Sequence, residues 1–553
     1  MTGRRRASAE SNAALMAAEL LRAGSTHLFG IMGDGNMTFM VACGQAGIDV
    51  VEVRHEAAAL GMAEGYNWSS GTVGICTVTH GPGLTQLATA LLVAGRNRSS
   101  VVVVTAETPP GYGGAQHFDQ AAFVESCEVP YQTVGVGESI PLALRRAVAQ
   151  AGAERGPVVL AVRADLFDVD GVAAPDEAAV VLPERAGPTE EENTEAARRL
   201  VALLADAQRP VIIAGRGAMS GPIADLVGRL ADQVGAGLAT TLPAKDLFAG
   251  HPYDLGVAGG LSSPAAFRVL QEPDLILAIG ASVGRSTTQS GRLFPRARVV
   301  RLHEEAPGHP RGAERDDLFA SPADAVQRAL DLLAGVQPRA PWFGIVAPPA
   351  EAWQEDLRDH APELAPGTVD PRRAVGAINP LIPDDAMVVL SNGHCSGFVG
   401  AFLSVPPAGE FFLAQGFGSI GHAFTTAVGV ALGRPGRKVV VFEGDTGFMM
   451  HAQEIETAAR AGADVTLFVL NDNAMGTEYQ RLAEEGAEAG YAVIRSGDLA
   501  AVARALGASA WQVTGEDLDV FRAALAPGLA MVDIRTSRSV RSRHLRLPAV
   551  TGR

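Results

Sequence analysis

The sequence predicts an α/β fold made of three doubly wound domains, each built on a parallel sheet. At 553 residues the chain is too long for one hydrophobic core, and about three domains is the natural expectation. Short apolar runs alternate with helical patterns, and the runs lack the polar alternation of half-exposed strands. Such runs are typical of parallel sheets that are covered on both faces.

Two polar stretches rich in Pro or Glu, at 174–199 and 337–356, are interpreted as linkers. The predicted domains therefore span 10–182, 192–336 and 357–540. The N-terminal MTGRRRASAESN has arginines but no apolar run behind them, and the run NAALMAAELLRAG from Asn12 has a period near 3.6 that predicts a first helix rather than a signal peptide. The apolar runs predicted as strands are, in order, HLFGI, VGICTV, SSVVVVTAE, GPVVLAV, RPVIIAG, DLILAIGA, ARVVRL, AMVVLS, KVVVFEGD, VTLFVLND and LAMVDIR.

Composition narrows the class of protein. The formal net charge of −16 argues against nucleic acid or an anionic membrane as the main partner, and no apolar run approaches the length of a membrane span. The basic end from Arg535 is expected to be solvated or loosely ordered. The four cysteines show no paired spacing, so neither disulfides nor a zinc site is indicated, which fits a reducing cytoplasm. They are Cys43, Cys76, Cys127 and Cys395.

Acidic side chains follow two apolar runs near the end of the chain. KVVVFE predicts a strand, GDTG a turn that opens the helix FMMHAQEIETAARAG, and VTLFVL a second strand that ends at Asn471, Asp472 and Asn473. Because neighbouring parallel strands bring their carboxyl ends together, Asp445 and this cluster are expected to meet, and their oxygen ligands suit Mg²⁺ beside a phosphate. The alternative is a helix N-cap at Asp445 and a plain turn at the cluster.

This arrangement resembles the motif of thiamine diphosphate (ThDP) enzymes. The resemblance implies that Asp445, Asp472 and the backbone carbonyl of Ala474 hold Mg²⁺, with Asn471 as a fallback ligand. Most members have Asn where this chain has Asp472, and the extra charge should tighten Mg²⁺ binding but repel the diphosphate. Flanking residues are implied in cofactor binding, namely Gly444, Thr446, Gly447, Met475 and Gly476.

A second segment resembles the pyrimidine-binding part of the same enzymes. The run RHEAAALGMAEGYNWSSGTVGICTVTHGPG is similar to the RHE…AEGYA…GPG pattern of acetolactate synthase-like members. This implies that Glu56 hydrogen-bonds N1′ of the cofactor pyrimidine, whereas by itself Glu56 could be an ordinary first-turn acid that stabilises the helix dipole. The resemblance also implies cofactor contacts for residues near this run, namely His80, Gly81, Pro82, Gly83 and Gln86.

Two further matches complete the predicted cofactor site. FFLAQGFGSIGHAFTTAVGVALG is similar to the strand, turn and helix beneath the cofactor, which places Ser419 beside it and Ile420 as the apolar wedge between its two rings. SNGHCSG points to His394 and Cys395 at the diphosphate, although Cys395 could instead be a buried apolar filler.

The resemblance also suggests the reaction. Asp34, Glu478 and His117 match acid and imidazole positions of 2-oxo acid decarboxylases, whereas Gln120 matches the acceptor-side Gln of acetolactate synthases. We therefore expect decarboxylation of a 2-oxo acid and carboligation of the resulting enamine to a second carbonyl compound. The alternative is a simple decarboxylase that releases an aldehyde.

A protein of another class is also considered. A dinucleotide-binding oxidoreductase should carry GxGxxG after its first strand, which FGIMGDGN does not supply, and a non-catalytic ThDP-fold protein should have lost Glu56. In the family the pyrimidine and diphosphate halves face each other across a subunit interface, which implies a homodimer or tetramer. FAD is disfavoured in the central domain, because the only glycine signal is GRG at 215–217 and ASVGRSTTQSG lacks an RFDDR-like core.

Overall fold

The computed structural model describes residues 10–109, 111, 114–134, 137–174, 187–304, 316–344, 346, 349–406 and 408–546. These residues form three six-stranded sheets, and every paired strand in them is parallel. The predicted α/β class with three doubly wound sheets is therefore confirmed.

The first sheet has the strand order β2-β1-β3-β4-β6-β5. Its strands are β1 (His27–Gly30), β2 (Asp49–Glu52), β3 (Gly74–Val78), β4 (Val101–Glu107), β5 (Tyr131–Thr133) and β6 (Pro157–Arg163). The helices around it are α1 (Asn12–Arg22), α2 (Met37–Gln45), α3 (Glu56–Ser70), α4 (Pro82–Thr85), α5 (Ala88–Asn97), α6 (Gln120–Ser126) and α7 (Ile140–Glu154).

The second sheet has the order β12-β11-β10-β7-β8-β9. Its strands are β7 (Pro210–Ala214), β8 (Gly237–Thr240), β9 (Asp254–Val257), β10 (Leu275–Ile279), β11 (Arg298–His303) and β12 (Leu318–Phe319). Its helices are α8 (Glu190–Asp206), α9 (Ile223–Val234), α10 (Pro264–Val269) and α11 (Pro322–Leu332).

The third sheet has the order β14-β13-β15-β16-β18-β17. Its strands are β13 (Met387–Leu390), β14 (Glu410–Leu413), β15 (Val439–Gly444), β16 (Val465–Asn471), β17 (Ser509–Val513) and β18 (Ala530–Arg535). Its helices are α12 (Pro349–Asp359), α13 (Pro371–Ile378), α14 (His394–Phe402), α15 (Ala423–Gly433), α16 (Asp445–Met450), α17 (Glu454–Arg460), α18 (Gly476–Glu484), α19 (Leu499–Ala505), α20 (Leu518–Ala524) and α21 (Arg543–Arg546).

Each apolar run predicted as a strand forms one. Strands β3, β10 and β16 are buried at every position, which is why their sequences show no polar alternation. Several strands were not predicted, among them β8, β9 and β17. Strands β5 and β12 were also missed, because three and two residues are too few to show a pattern.

Both predicted linkers contain helix, and the linker interpretation is wrong for those parts. Helix α8 begins inside the first stretch, with a capping box between Thr189 and Glu192 that the sequence TEEE could have revealed. Helix α12 begins inside the second stretch. The three domain ranges remain predictions, and the boundary at 182 lies outside the described residues.

Helices α3 and α15 pack the first domain closely against the third, because glycines lie where the two helices meet. A Cβ at Gly65 would lie 1.9 Å from the carbonyl oxygen of Thr426, and a Cβ at Gly429 would lie 1.9 Å from that of Met62. The two backbones therefore touch, and one hydrophobic core runs through both domains. This contact sets where α3, which begins at Glu56, lies relative to the third sheet.

Residues 535–546 are packed, contrary to the expected loosely ordered tail, and the rest of that tail lies outside the described residues. The Arg546 guanidinium lies 2.6 and 2.7 Å from the two carboxylate oxygens of Asp356, which is fully buried and also bound by Arg372 at 3.2 Å. A buried carboxylate needs such partners, so the segment before residue 547 is held against α12. Among the described helices, none has the length and apolar sequence needed to cross a bilayer.

Candidate active site

A cavity of about 1870 Å³ opens at the carboxyl ends of the third sheet and reaches the first and second domains. In this sheet the strand order reverses between β13 and β15, which is where ligands bind in doubly wound folds. The turn after β13 brings His394 and Cys395 to the cavity, and the turn after β15 brings Gly444 to Gly447. Strand β16, next to β15, adds Asp472 and Ala474.

Two carboxylates converge at this edge of the sheet. Asp445 is 2% exposed, and its Oδ2 accepts a hydrogen bond from Ser496 Oγ at 2.9 Å. Burial, followed by the charge of Asp472, raises the pKa of Asp445 to about 7. A buried carboxylate and a partly exposed one that repel each other form a site that a cation would stabilise.

Ala474, two residues after Asp472, also lines the cavity. Ala474 lies opposite Val493 in an isolated antiparallel bridge, whose hydrogen bonds are made by Asn473 and Met475 on either side. The Ala474 amide donates to Asp472 Oδ1 at 3.0 Å, which orients that carboxylate.

Asn471 is poorly suited to its expected role as a fallback ligand. Its amide donates to Asp533 at 2.8 Å, and its oxygen accepts from the backbone of Asn473 at 3.1 Å. Both ends of the side chain are thus engaged inside the protein, and Asp472 is the group that faces the cavity.

His394 and Gly476 shape the surroundings of Asp472. The Ser542 amide donates to His394 Nε2 at 3.2 Å, so Nδ1 carries the proton and faces Asp472 Oδ2 at 3.6 Å. A Cβ at Gly476 would lie 2.6 Å from Asp472 Oδ2 and 2.8 Å from His394 Nδ1. A glycine is therefore required where the two side chains meet.

Cys395 fits the alternative interpretation of an apolar filler. It is buried in the hydrophobic core of the third domain, and burial raises the pKa of its thiol. Its Sγ lies 3.4 Å from the Asn392 carbonyl. A neutral buried thiol can line the cavity without acting in chemistry.

The cavity wall also carries hydroxyl groups without a hydrogen-bond partner among the described residues. Ser419 Oγ and Thr446 Oγ1 are buried, and neither has a hydrogen-bond partner among the described residues. Buried hydroxyls are normally bonded, so two of them beside the carboxylate pair indicate a polar ligand. Ile420 and Met475 supply apolar surface at the same wall.

The predicted single helix FMMHAQEIETAARAG is wrong. The chain forms the two short helices α16 and α17 instead, and it leaves helical geometry at His451, where φ is −135°. The break lets Glu454 and His451 turn towards the first domain, where their partners lie.

A second cluster forms at the first sheet, where the order reverses between β1 and β3. Glu56 is the first residue of α3, and a Cβ at Gly83 would lie 3.7 Å from its Oε1. Burial lowers the pKa of His80, an effect that the charge of Asp34 opposes. His80 Nδ1 is buried without a hydrogen-bond partner among the described residues.

Gln120 supports the GPG turn in this cluster. Its side-chain oxygen accepts from the Gly81 amide at 3.2 Å, and its amide donates to the Ala106 carbonyl at 3.0 Å. These bonds hold Gly81 at a φ of 68°, where glycine is favoured. Contact between Gln120 and an acceptor substrate remains a prediction.

One chain does not bring both clusters into one cavity. Gln86 and Glu478 line the large cavity, and so do His55 and Ala57. The described lining does not include Asp34, Glu56 or His117, and Asp34 and His117 are solvent-exposed. The catalytic residues predicted from the sequence are thus divided between two places.

Sequence reasoning missed four polar residues of the cavity region. Ser496 binds Asp445 from a loop with no sequence signal, and His544 comes from the arginine-rich end of the chain. Burial lowers the pKa of His422 to about 4 and that of His451 to about 3. His422 lies two residues after Ile420, and His451 lies at the end of α16. These positions were the sequence signal that could have pointed to the two histidines.

A fold of three parallel sheets, with paired carboxylates and unpartnered hydroxyls at the strand ends of the third, defines a cofactor-dependent enzyme of the ThDP class. Family models confirm this. The N-terminal TPP binding domain of thiamine pyrophosphate enzymes matches residues 11–126, the central domain 197–310 and the C-terminal TPP binding domain 391–534. The chain therefore belongs to the thiamine pyrophosphate (ThDP) enzymes.

Curated relatives are similar along most of the chain. A sulfoacetaldehyde acetyltransferase of Castellaniella defragrans is 29% identical over 525 residues, which cover 88% of this chain and 85% of the relative. The acetolactate synthase large subunit of Parasynechococcus marenigrum is 27% identical, covering 96% and 88%. The large subunit of acetolactate synthase isozyme 1 of Escherichia coli (strain K12) is 27% identical, covering 77% and 75%. The chain is thus a ThDP-dependent enzyme of this type.

Proposed function

We propose that this enzyme uses ThDP and Mg²⁺ to decarboxylate a 2-oxo acid and joins the remaining carbon unit to a second carbonyl compound. The observation that carries the proposal is the cavity beside the carboxylate pair. Its volume of about 1870 Å³ exceeds the ~300–1,000 Å³ of a typical ligand pocket, which leaves room for a cofactor and two substrates.

Residues of the third domain would hold the cofactor. Asp445, Asp472 and the Ala474 carbonyl would bind Mg²⁺, and the unpartnered hydroxyls of Ser419 and Thr446 fit the diphosphate. Among the described residues, no group of three or more His, Cys, Asp or Glu side chains is arranged to hold a metal ion alone. Two carboxylates and a carbonyl are oxygen ligands that suit Mg²⁺, which usually keeps phosphate and water ligands as well.

Residues of the first domain, together with Glu478 of the third, would handle protons. When bound, ThDP supplies the electron sink that makes loss of CO₂ possible. Glu56 would hold a hydrogen bond to N1′ of the cofactor pyrimidine, and Asp34, His117 and Glu478 would give and take protons at the substrate. Gln120 would contribute on the acceptor side once its present hydrogen bonds are exchanged.

A second copy of the chain would complete the site. The described cavity lining of one chain does not include Asp34 or Glu56, so a partner subunit would bring them to its diphosphate half. Exposed apolar side chains lie near Asp34 in the sequence, with Met32, Met37 and Val41 exposed by 46%, 47% and 45%. Such a patch is typical of an interface, which supports a homodimer or a tetramer built from it.

A simple decarboxylase is the second candidate. The carboxylates of Asp34 and Glu478 favour it, because both are exposed to the solvent that would supply a proton. FAD in the central domain stays the disfavoured alternative, and the absorbance spectrum of the purified protein tests it.

Product analysis tests the proposal. The purified protein, with ThDP and Mg²⁺, is given a panel of 2-oxo acids with and without aldehydes. We expect CO₂ release and a new 2-hydroxy ketone or acetohydroxy acid. Aldehyde as the sole product would favour the second candidate, and no CO₂ from any donor would overturn both. Glu56→Gln should remain folded and lose turnover.

A further inference from the structure

A buried carboxylate of the third domain holds the turn that leads into Glu56. Glu454, the first residue of α17, is fully buried. Its Oε1 and Oε2 accept from the Arg54 amide at 3.0 and 3.2 Å, across 400 residues of sequence. The Thr457 hydroxyl donates to Oε2 at 2.7 Å and fixes the orientation of the carboxylate.

Side chains reinforce the same contact at its edge. The Arg54 guanidinium binds Glu456 at 2.8 and 2.9 Å, and the Arg460 guanidinium donates to the Glu52 carbonyl at 2.5 Å. Unlike Glu454, these groups are partly exposed, with the Arg54 side chain 51% and the Glu456 side chain 33% exposed. Buried charge-assisted hydrogen bonds to the backbone are stronger than surface ion pairs, so Glu454 provides the main constraint.

The constrained backbone leads directly to Glu56. His55 is the N-cap of α3, and its Nδ1 accepts from the Ala57 amide at 3.1 Å. Burial raises the pKa of Glu454, and hydrogen bonds from Thr457 and from the backbone of Arg54 and His55 oppose that rise. Glu454 therefore holds the two residues that immediately precede Glu56.

We propose that Glu454 is a positioning residue for Glu56. It fixes the backbone of Arg54 and His55, and so sets the direction in which the Glu56 carboxylate would leave the start of α3 towards the pyrimidine of ThDP. The inference rests on the proposed role of Glu56. A misplacement of about 1 Å at a catalytic group can cost about 100-fold in rate.

The position of α17 gives this contact a second consequence. Asp445 begins α16, and Glu454 follows only nine residues later at the start of α17. One short segment thus carries the proposed Mg²⁺ ligand at one end and the support of Glu56 at the other. In a dimer with shared sites, these two residues would serve different active sites.

Hydrogen exchange of the protein without cofactor tests the contact directly. In the wild type, the amides of Arg54 and His55 should exchange slowly. Glu454→Gln removes one acceptor oxygen and the charge, so exchange in the peptide over residues 52–57 should become faster. Glu456→Gln is the matched control, because it loses only the side-chain pair with Arg54 and should leave the amide of Arg54 protected.

Kinetics of the loaded enzyme test the consequence. In Glu454→Gln we expect kcat to fall about 10–100-fold while KM for the 2-oxo acid changes less than about twofold, because substrate binding is not touched. Glu456→Gln should keep the wild-type kcat. Thr457→Val keeps the shape of the side chain and removes only its hydrogen bond to the Glu454 carboxylate. We expect a smaller fall in kcat for this variant. It replaces Glu454→Gln in the test if that variant does not fold.

The outcomes separate this inference from the proposed function. If Glu454→Gln shows unchanged exchange at residues 52–57, or faster exchange with a wild-type kcat, the positioning role of Glu454 is overturned. The proposed function still stands in that case, provided that Glu56→Gln is inactive. An active Glu56→Gln would instead remove the proposed function.

Discussion

Gly476→Ala should weaken the binding of Mg²⁺ and ThDP without unfolding the protein. The added methyl carbon would lie 2.6 Å from Asp472 Oδ2 and 2.8 Å from His394 Nδ1, and unstrained contacts need more than 3.0 Å. Neither neighbour can easily move, because Ser542 holds His394 and the Ala474 amide holds Asp472. The carboxylate must therefore shift by several tenths of an ångström from the position in which it is proposed to bind Mg²⁺.

Displacement of a metal ligand by its surroundings typically costs about 10–100-fold in metal affinity. We expect a loss of that size in a calorimetric titration of the protein with ThDP at fixed Mg²⁺. Gly376→Ala is the control, because Gly376 lies in α13 with no atom within 4 Å of the new methyl group. Wild-type affinity in Gly476→Ala would refute the geometry of the Asp472 site.

Three further predictions concern charge. Asp472→Asn should weaken the binding of Mg²⁺ alone but not that of the diphosphate, as titrations with and without ThDP would show; equal losses would contradict it. Because the pKa values of His422 and His451 fall to about 4 and 3, the unfolded state binds more protons below the usual 6.5. The free energy of unfolding should therefore decrease as pH falls from 6.5 towards 4, by up to about 1.4 kcal/mol per pH unit for each group. Urea denaturation at several pH values checks this, and His451→Gln should reduce the slope. Arg546→Ala should lower the unfolding free energy by about 1–3 kcal/mol, because the fully buried Asp356 loses one of its partners. An unchanged urea midpoint would contradict that last prediction.

Much of the fold could be predicted because its cause is local. A strand covered on both faces of a parallel sheet must be apolar at every position, and β15 and β16 show this in sequence. The turn at Asp445 and the cluster at Asp472 follow those strands directly, so their meeting at one sheet edge follows from parallel pairing. The linkers were misjudged because helices α8 and α12 are polar on much of their surface.

The sequence by itself determined the α/β class, the family and many of the residues that line the large cavity, because these depend on spacing within short segments. Only the tertiary structure decided how those residues are supported. Ser496 reaches Asp445 across 51 residues, Ser542 orients His394 across 148, and Glu454 holds Arg54 across 400. Such contacts leave no periodic pattern in the sequence. They arise when buried polar groups must find partners wherever folding has brought another segment near, and in Glu454 that need also interrupts the helix that the local pattern favours.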